Sequence, residues 1–166
     1  LSFASNSLIV ATGALSVPTL GGSGFGYEVA KNFSIDVTNT KPGLVPFTLG
    51  AKNRVFSSEL SGVSIPVLIR VGNVEFKDDM LFTHKGLSGP AVLQASSYWN
   101  HGDIVKIDLL PDVELLDDLY FEKNRGNKKL LRTYLSNMLP RSLVSILEEA
   151  LWGSHSEIPI EQLPKQ

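Results

Sequence analysis

The chain has 166 residues, 43% of them hydrophobic, with 15 basic and 17 acidic side chains and a net charge of -2. That fits one or two compact units with enough apolar material for a core, and no basic surplus points to nucleic acid or an anionic membrane. The absence of cysteine excludes disulfides, thiolate metal sites and cysteine nucleophiles. The apolar runs are far shorter than a membrane span. The opening LSFASNSLIVATG has neither a methionine nor the basic start of a secretory signal. It is read as the start of an internal piece of a longer, cytoplasmic protein.

In chain order, Ser7 to Ala11 is a short Leu/Ile/Val run that stops at Thr12-Gly13, the pattern of a buried parallel strand. Pro18 and the glycines at 21, 22, 24 and 26 predict an irregular connection, and Tyr27 to Phe33 a short helix. Lys41-Pro42-Gly43 marks a turn before Leu44 to Leu49, a second strand. In VSIPVLIRV, Val63, Ile65, Val67, Ile69 and Val71 share one face. Gly72-Asn73 and VEFKDDMLF follow, so the stretch reads as a β-hairpin with a two-residue turn. Pro66 cannot donate to a ladder and predicts an edge strand or a bulge.

Ser88-Gly89-Pro90 has the form of a helix start, with Ser88 as N-cap and the helix running to about Trp99. Asp103 to Leu110 returns to strand, with Val105, Ile107 and Leu109 inward. Beyond Pro111 three helices are expected: Asp112 to Lys123, one capped by Asn127, and one opened by Pro140. The tail SHSEIPIEQLPKQ has no clear period. The fold class is therefore α+β: a mainly antiparallel, barrel-like β unit with a small helical subdomain, preceded by a strand-loop-helix remnant.

Two stretches can carry chemistry. A strand, a glycine turn and a helix start together make a phosphate site, but the dinucleotide fingerprint fails because Tyr27 stands where its third glycine belongs. Spacing alone favours tight packing as the purpose of these glycines. In LFTHKGLSGPAVLQAS, His84 ends a strand, and histidine is the side chain that changes charge near neutral pH without special tuning. One histidine with no visible partner is read first as bonding a loop carbonyl. No histidine pair has zinc-site spacing, so no metal is expected. Asp78-Asp79, Lys128-Lys129 and Glu148-Glu149 read as solvated faces, and Tyr98, Trp99 and Trp152 as packing.

ATGALSVPTLGGSGFGY, followed some fifty residues later by LFTHKGLSGPAVLQAS and then by IDLLP, resembles the BaiN/YhiN-like family of bacterial flavoproteins. These are NAD(P)/FAD-dependent oxidoreductases whose Rossmann-type FAD domain is split by a β-barrel-like and a small helical domain. The resemblance implies residues 1–43 as a partial FAD-binding segment, 44–111 as the barrel-like domain and 112–166 as the helical subdomain. It implies that Thr12, Gly13, Ala14 and Ser16 line the cofactor site. Thr83 and His84 are then the groups facing flavin or substrate. FAD is the implied cofactor, NAD(P)H the reductant, and a small molecule of unknown identity the substrate. The sequence departs from the family pattern at Ala14, where a second glycine is usual, and at Phe25, where an acid is usual.

The family's amino-terminal glycine fingerprint and its carboxy-terminal FAD segment are not in this chain, so weak or absent FAD binding and no activity are expected of this stretch alone. The partners expected are the flanking parts of the same protein, no nucleic acid and no membrane, with dimerisation through unpaired strand edges. The competing reading is a stand-alone, non-catalytic module that binds a ligand or a partner.

Overall fold

The computed structural model describes residues 4–164, the side chain at position 52 apart. The chain divides into two compact units, one ending at Pro42 and one beginning at Gly43.

In the first unit, Pro18–Leu20 forms a 3-10 turn with proline at its start, closed by Gly21 at φ 88°. A helix, α1, follows over Phe25–Asn32, with Glu28 in its first turn and Lys31 in its last, both matched to the helix dipole. The strand expected at Ser7 to Ala11 does not form: these residues belong to no ladder, and Ile9 is 89% exposed. A short apolar run becomes a strand only where a neighbour accepts its backbone hydrogen bonds, and none lies beside it among the described residues of this unit.

The second unit is built on an antiparallel sheet of β1 (Phe47–Thr48), β2 (Ser64–Val71), β3 (Val74–Thr83), β4 (Gly86–Ser88) and β5 (Val105–Asp108). Their order across the sheet is β1-β4-β3-β2-β5. The predicted hairpin is present, Val71 pairing with Val74 across Gly72-Asn73. Alternation on β2 sends Ile65, Val67, Ile69 and Val71 into the core, Val67 and Ile69 being completely buried. Burial of each such side chain stabilises by ~1.5–3 kcal/mol. The proline rule holds locally, although β2 is central. Its pairing with β5 runs only from Leu68 to Val71, so Pro66 lies past the end of that partner.

A helix the sequence did not announce, α2, occupies Ala51–Glu59 between β1 and β2. The strand expected over Leu44 to Leu49 shrinks to two residues because α2 begins just after it. Helix α3 (Pro90–Ser96) packs Ala91, Val92 and Ala95 on the sheet with no exposure. Its N-cap is Gly89 rather than Ser88, which belongs to β4. Gly89 sits at φ +92°, and an added Cβ would lie 2.7 Å from the Asp79 carbonyl oxygen and 2.8 Å from the Leu81 nitrogen. The close strand therefore forces a glycine at the cap. The segment before β1 is fastened to α3, with the Val45 N–H donating to Ser96 Oγ at 2.9 Å and the Leu44 N–H to Ser97 Oγ at 3.2 Å.

The helical part comprises α4 (Leu115–Asn124), α5 (Leu131–Leu135) and α6 (Arg141–Leu147). Helix α6 runs on through a π-helical turn over Glu148–Trp152 and a 3-10 turn over Gly153–His155. Neither predicted cap is used: α4 starts after Glu114, since Asp112 pairs with Lys77, and α5 starts after Leu130. Asn127 Oδ1 instead accepts the Lys129 N–H at 2.9 Å in the connecting turn. Leu135, Leu139, Leu143 and Val144 join the sheet's core. The tail is ordered by backbone bonds, Ile160 N–H to Lys129 O at 2.9 Å and Glu161 N–H to Asn127 O at 3.0 Å, with Ile160 fully buried. The α+β class with an antiparallel sheet and a helical subdomain stands. No helix among the described residues is long and apolar enough to cross a membrane.

Candidate functional site

The two sets of residues singled out in the sequence lie in different units. Thr12, Gly13, Ala14 and Ser16 belong to the first, in an exposed loop that doubles back on itself. Gly13 turns the chain at φ +72°. Gly22 is the point of closest approach: its N–H donates to Val17 O at 3.2 Å, and a Cβ there would collide with the Ala14 carbonyl oxygen. The glycine at 22 thus lets chain meet chain, as the packing reading required. Residues 12–16 are all exposed. Among the described residues, the Thr12 and Ser16 hydroxyls and the backbone N–H groups of Gly13 and Ala14 donate to nothing. Such a row of uncommitted donors suits a polar, electron-rich edge.

Thr83 and His84 lie in the second unit, in the tight turn joining β3 to β4, where Thr83 pairs with Gly86 across His84-Lys85. The Thr83 hydroxyl is committed to this turn. It donates to Gly86 O at 3.0 Å and accepts the N–H of Gly86 at 3.2 Å. Ser57 of α2, fully buried, donates to the carbonyl oxygens of both Thr83 and Gly86, the latter at 2.9 Å. On the far side the Leu49 N–H donates to Lys85 O at 3.0 Å. The turn is therefore gripped from two directions while its tip stays open. His84 is exposed there and lines a concavity of 460 Å³ with Ala51, Arg54, Val55, Ser58 and Glu59 of α2. Ser57 had no sequence signal, because α2 itself had none. Among the described residues no cluster of His, Asp and Glu could hold a metal ion.

Ser57→Ala removes a hydroxyl within reach of the Thr83 and Gly86 carbonyl oxygens; Gly86 O keeps the Thr83 hydroxyl, so the loss of one donor is expected to cost ~1–3 kcal/mol. Urea unfolding measures this. Ser57→Thr, which keeps the hydroxyl, is expected to recover part of the loss.

The comparisons with known proteins agree with this architecture. Over 157 residues the chain is 44% identical to the ribosomal RNA dihydrouridine synthase of Escherichia coli (strain K12), covering 94% of this chain and 39% of that protein. Over 141 residues it is 44% identical to the protein of the same name from Haemophilus influenzae (strain ATCC 51907 / DSM 11121 / KW20 / Rd), covering 84% of this chain and 35% of that one. The chain thus spans well under half the length of these curated relatives. Their names overturn the expectation of no nucleic-acid partner, since both are named for a reaction on ribosomal RNA. Net charge averages over the whole chain and is no measure of a locally charged surface. The family model described as the HI0933-like protein barrel and H2TH domain matches residues 41–166, and the chain belongs to that family.

Proposed function

We propose that the chain is the barrel and helical part of a flavin-dependent oxidoreductase that reduces a uridine of ribosomal RNA to dihydrouridine. The observation that carries this reading is the 44% identity, over 94% of the chain, to a protein of that name. The resemblance of the ATG and LFTH stretches to bacterial flavoproteins supports the flavin. We assign residues 1–43 to a partial FAD-binding segment, 44–111 to the barrel-like domain and 112–166 to the helical subdomain, in a protein acting in the cytoplasm.

Saturating the C5=C6 bond of uracil adds a hydride to one carbon and a proton to the other. NAD(P)H supplies the electron pair and leaves as NAD(P)⁺, while the proton comes from solvent or a side chain. A bound flavin supplies the hydride-transfer chemistry. The chain's own contribution is to bind and orient. Thr12, Gly13, Ala14 and Ser16 would hold the cofactor through their free hydroxyls and backbone donors, a set that fits a flavin's polar edge. Thr83 fixes the turn that carries His84. The imidazole, open at the turn's tip, is offered to the substrate as a proton carrier.

The test uses the intact protein. It should be yellow when purified, and unmodified ribosomal RNA treated with it and NAD(P)H should gain the mass of two hydrogens at a uridine. A colourless, inactive protein sinks the proposal. His84→Ala is expected to lower turnover by on the order of a hundredfold, the usual worth of a positioned proton carrier. Unchanged dihydrouridine formation in that variant would remove His84 from the chemistry while leaving the rest of the reading in place.

A further inference from the structure

Charge in the helical subdomain is sorted along the chain. Positions 112–122 carry five acids, Asp112, Glu114, Asp117, Asp118 and Glu122. Positions 123–141 carry six bases, Lys123, Arg125, Lys128, Lys129, Arg132 and Arg141, and no Asp or Glu. The fold does not cancel the basic stretch. Two of the five acids are engaged elsewhere, Asp112 with Lys77 and Glu122 with the Asn127 amide at 2.5 Å, while Asp118 and Glu122 lie near enough to act on Tyr134. Burial first, and then those two carboxylates, push the Tyr134 hydroxyl pKa upward.

Among the described residues, Arg125, Lys128, Lys129 and Arg141 form no ion pair. All four are exposed, with Arg125 stacked on the Phe121 ring at 5.2 Å, a contact that leaves its charge uncompensated. Lys123 is used internally, donating to the Leu163 carbonyl oxygen.

An independent feature adjoins this stretch. Helices α5 and α6 enclose a polar groove of 360 Å³ in which Arg132, Thr133, Asn137, Arg141 and Ser145 supply donors, while Ser136 gives its proton to Arg132 O at 2.7 Å. Arg132 is held by Glu157 at 2.9 Å and by Glu148 of the groove wall at 3.3 Å, and these contacts, the hydrogen bond to Glu157 first, raise its pKa. Arg141 is left as the groove's uncommitted cation. Hydroxyl, amide and guanidinium donors around one concavity are what a phosphodiester oxygen requires.

We propose that the basic stretch 123–141, with the α5–α6 groove at its end, is the docking surface for the phosphate backbone of the RNA. The proposal rests on the ribosomal RNA reading above and assigns that reading a binding surface separate from the turn carrying His84. Several unpaired cations distributed along a connection and a groove match a charged strand better than a single small anion. Direct base readout is not asked of this surface; backbone contacts set position and affinity.

The test is fluorescence anisotropy of the intact protein with a fluorescein-labelled single-stranded RNA at several salt concentrations. Arg141→Glu is expected to weaken binding on the order of tenfold and to reduce the slope of log K against log salt by about 0.7 for each lost phosphate contact. Lys128→Glu/Lys129→Glu is expected to do the same or more, and Lys128→Gln/Lys129→Gln to fall between, without an introduced acid. Lys106→Glu on β5 carries the same single charge reversal and should leave affinity and slope unchanged. Wild-type affinity and slope in the Arg141 and Lys128/Lys129 variants would overturn the docking surface and leave the RNA reading standing. An intact protein that binds no RNA would overturn both. Polyglutamate of equal charge competing as well as RNA would make this a general polyanion surface and end the assignment.

Discussion

Gly86→Ala is expected to destabilise the sheet unit by ~3 kcal/mol or more, the range of a strained backbone combined with a steric collision. Gly86 lies at φ +151°, and an added Cβ would sit on the Phe47 carbonyl oxygen and 2.9 Å from the Leu49 nitrogen. Neither neighbour is the end of a flexible side chain. Relief requires β1 to move off β4, which breaks the Phe47–Leu87 and Thr48–Gly86 pairs. The same shift withdraws the Leu49 bond to Lys85 O and loosens the turn that presents His84. A urea midpoint, compared with that of Gly72→Ala, measures the effect. Gly72 also has positive φ, +56°, but an added carbon there meets nothing within 4 Å. Its cost is conformational alone, ~1–2 kcal/mol. Equal shifts in the two variants would show that close approach to β1 is not what demands a glycine at 86.

Leu60→Ala is expected to cost ~2–5 kcal/mol, the range for emptying a buried leucine site. Leu60 caps the end of α2 and is completely buried. Among the described side chains of α2 little else anchors it: Val55 is 62% exposed, Phe56 is only partly covered against Phe82, and Ser57 is the buried one. Amide exchange separates the local from the global effect. With Leu60 lost, the amides of α2 should exchange sooner than those of Val67 and Ile69, because α2 loses its main anchor while the central strand keeps its own. Uniform acceleration across the sheet would instead make Leu60 an ordinary member of the core.

Legibility in the sequence followed how local the determinants were. The β2–β3 hairpin was readable because alternation and a Gly-Asn turn specify it within twenty residues. The β3–β4 hairpin was not. Thr83-His84-Lys85-Gly86 carries no usual turn dipeptide, and its conformation is imposed by Ser57 from α2 and by the β1 backbone. Helix α2 escaped notice because, among the described side chains of AKNRVFSSEL, only a narrow stripe is buried, too little to generate a helical period. Ser88 failed as a cap for a tertiary reason, since β4 passes through it and the strand opposite Gly89 leaves no space for a side chain there.

The candidate residues divide in the same way. His84 was noticed for its chemistry, and its exposure follows from the turn. The commitment of the Thr83 hydroxyl to that turn depends on the exact pairing of two strands. The expectation of no nucleic-acid partner rested on net charge, and a net charge of -2 conceals an acidic stretch followed at once by a basic one.

One feature of the first unit bears on how this stretch of chain would fare on its own. From residue 4 to Pro42 no side chain is buried, while Ile9 and Leu20 stand 89% and 85% open to solvent. The portion from Gly43 on has an interior of its own. Vulnerability to proteolytic nicking is therefore concentrated ahead of Gly43, and the later portion is the part built to outlast it.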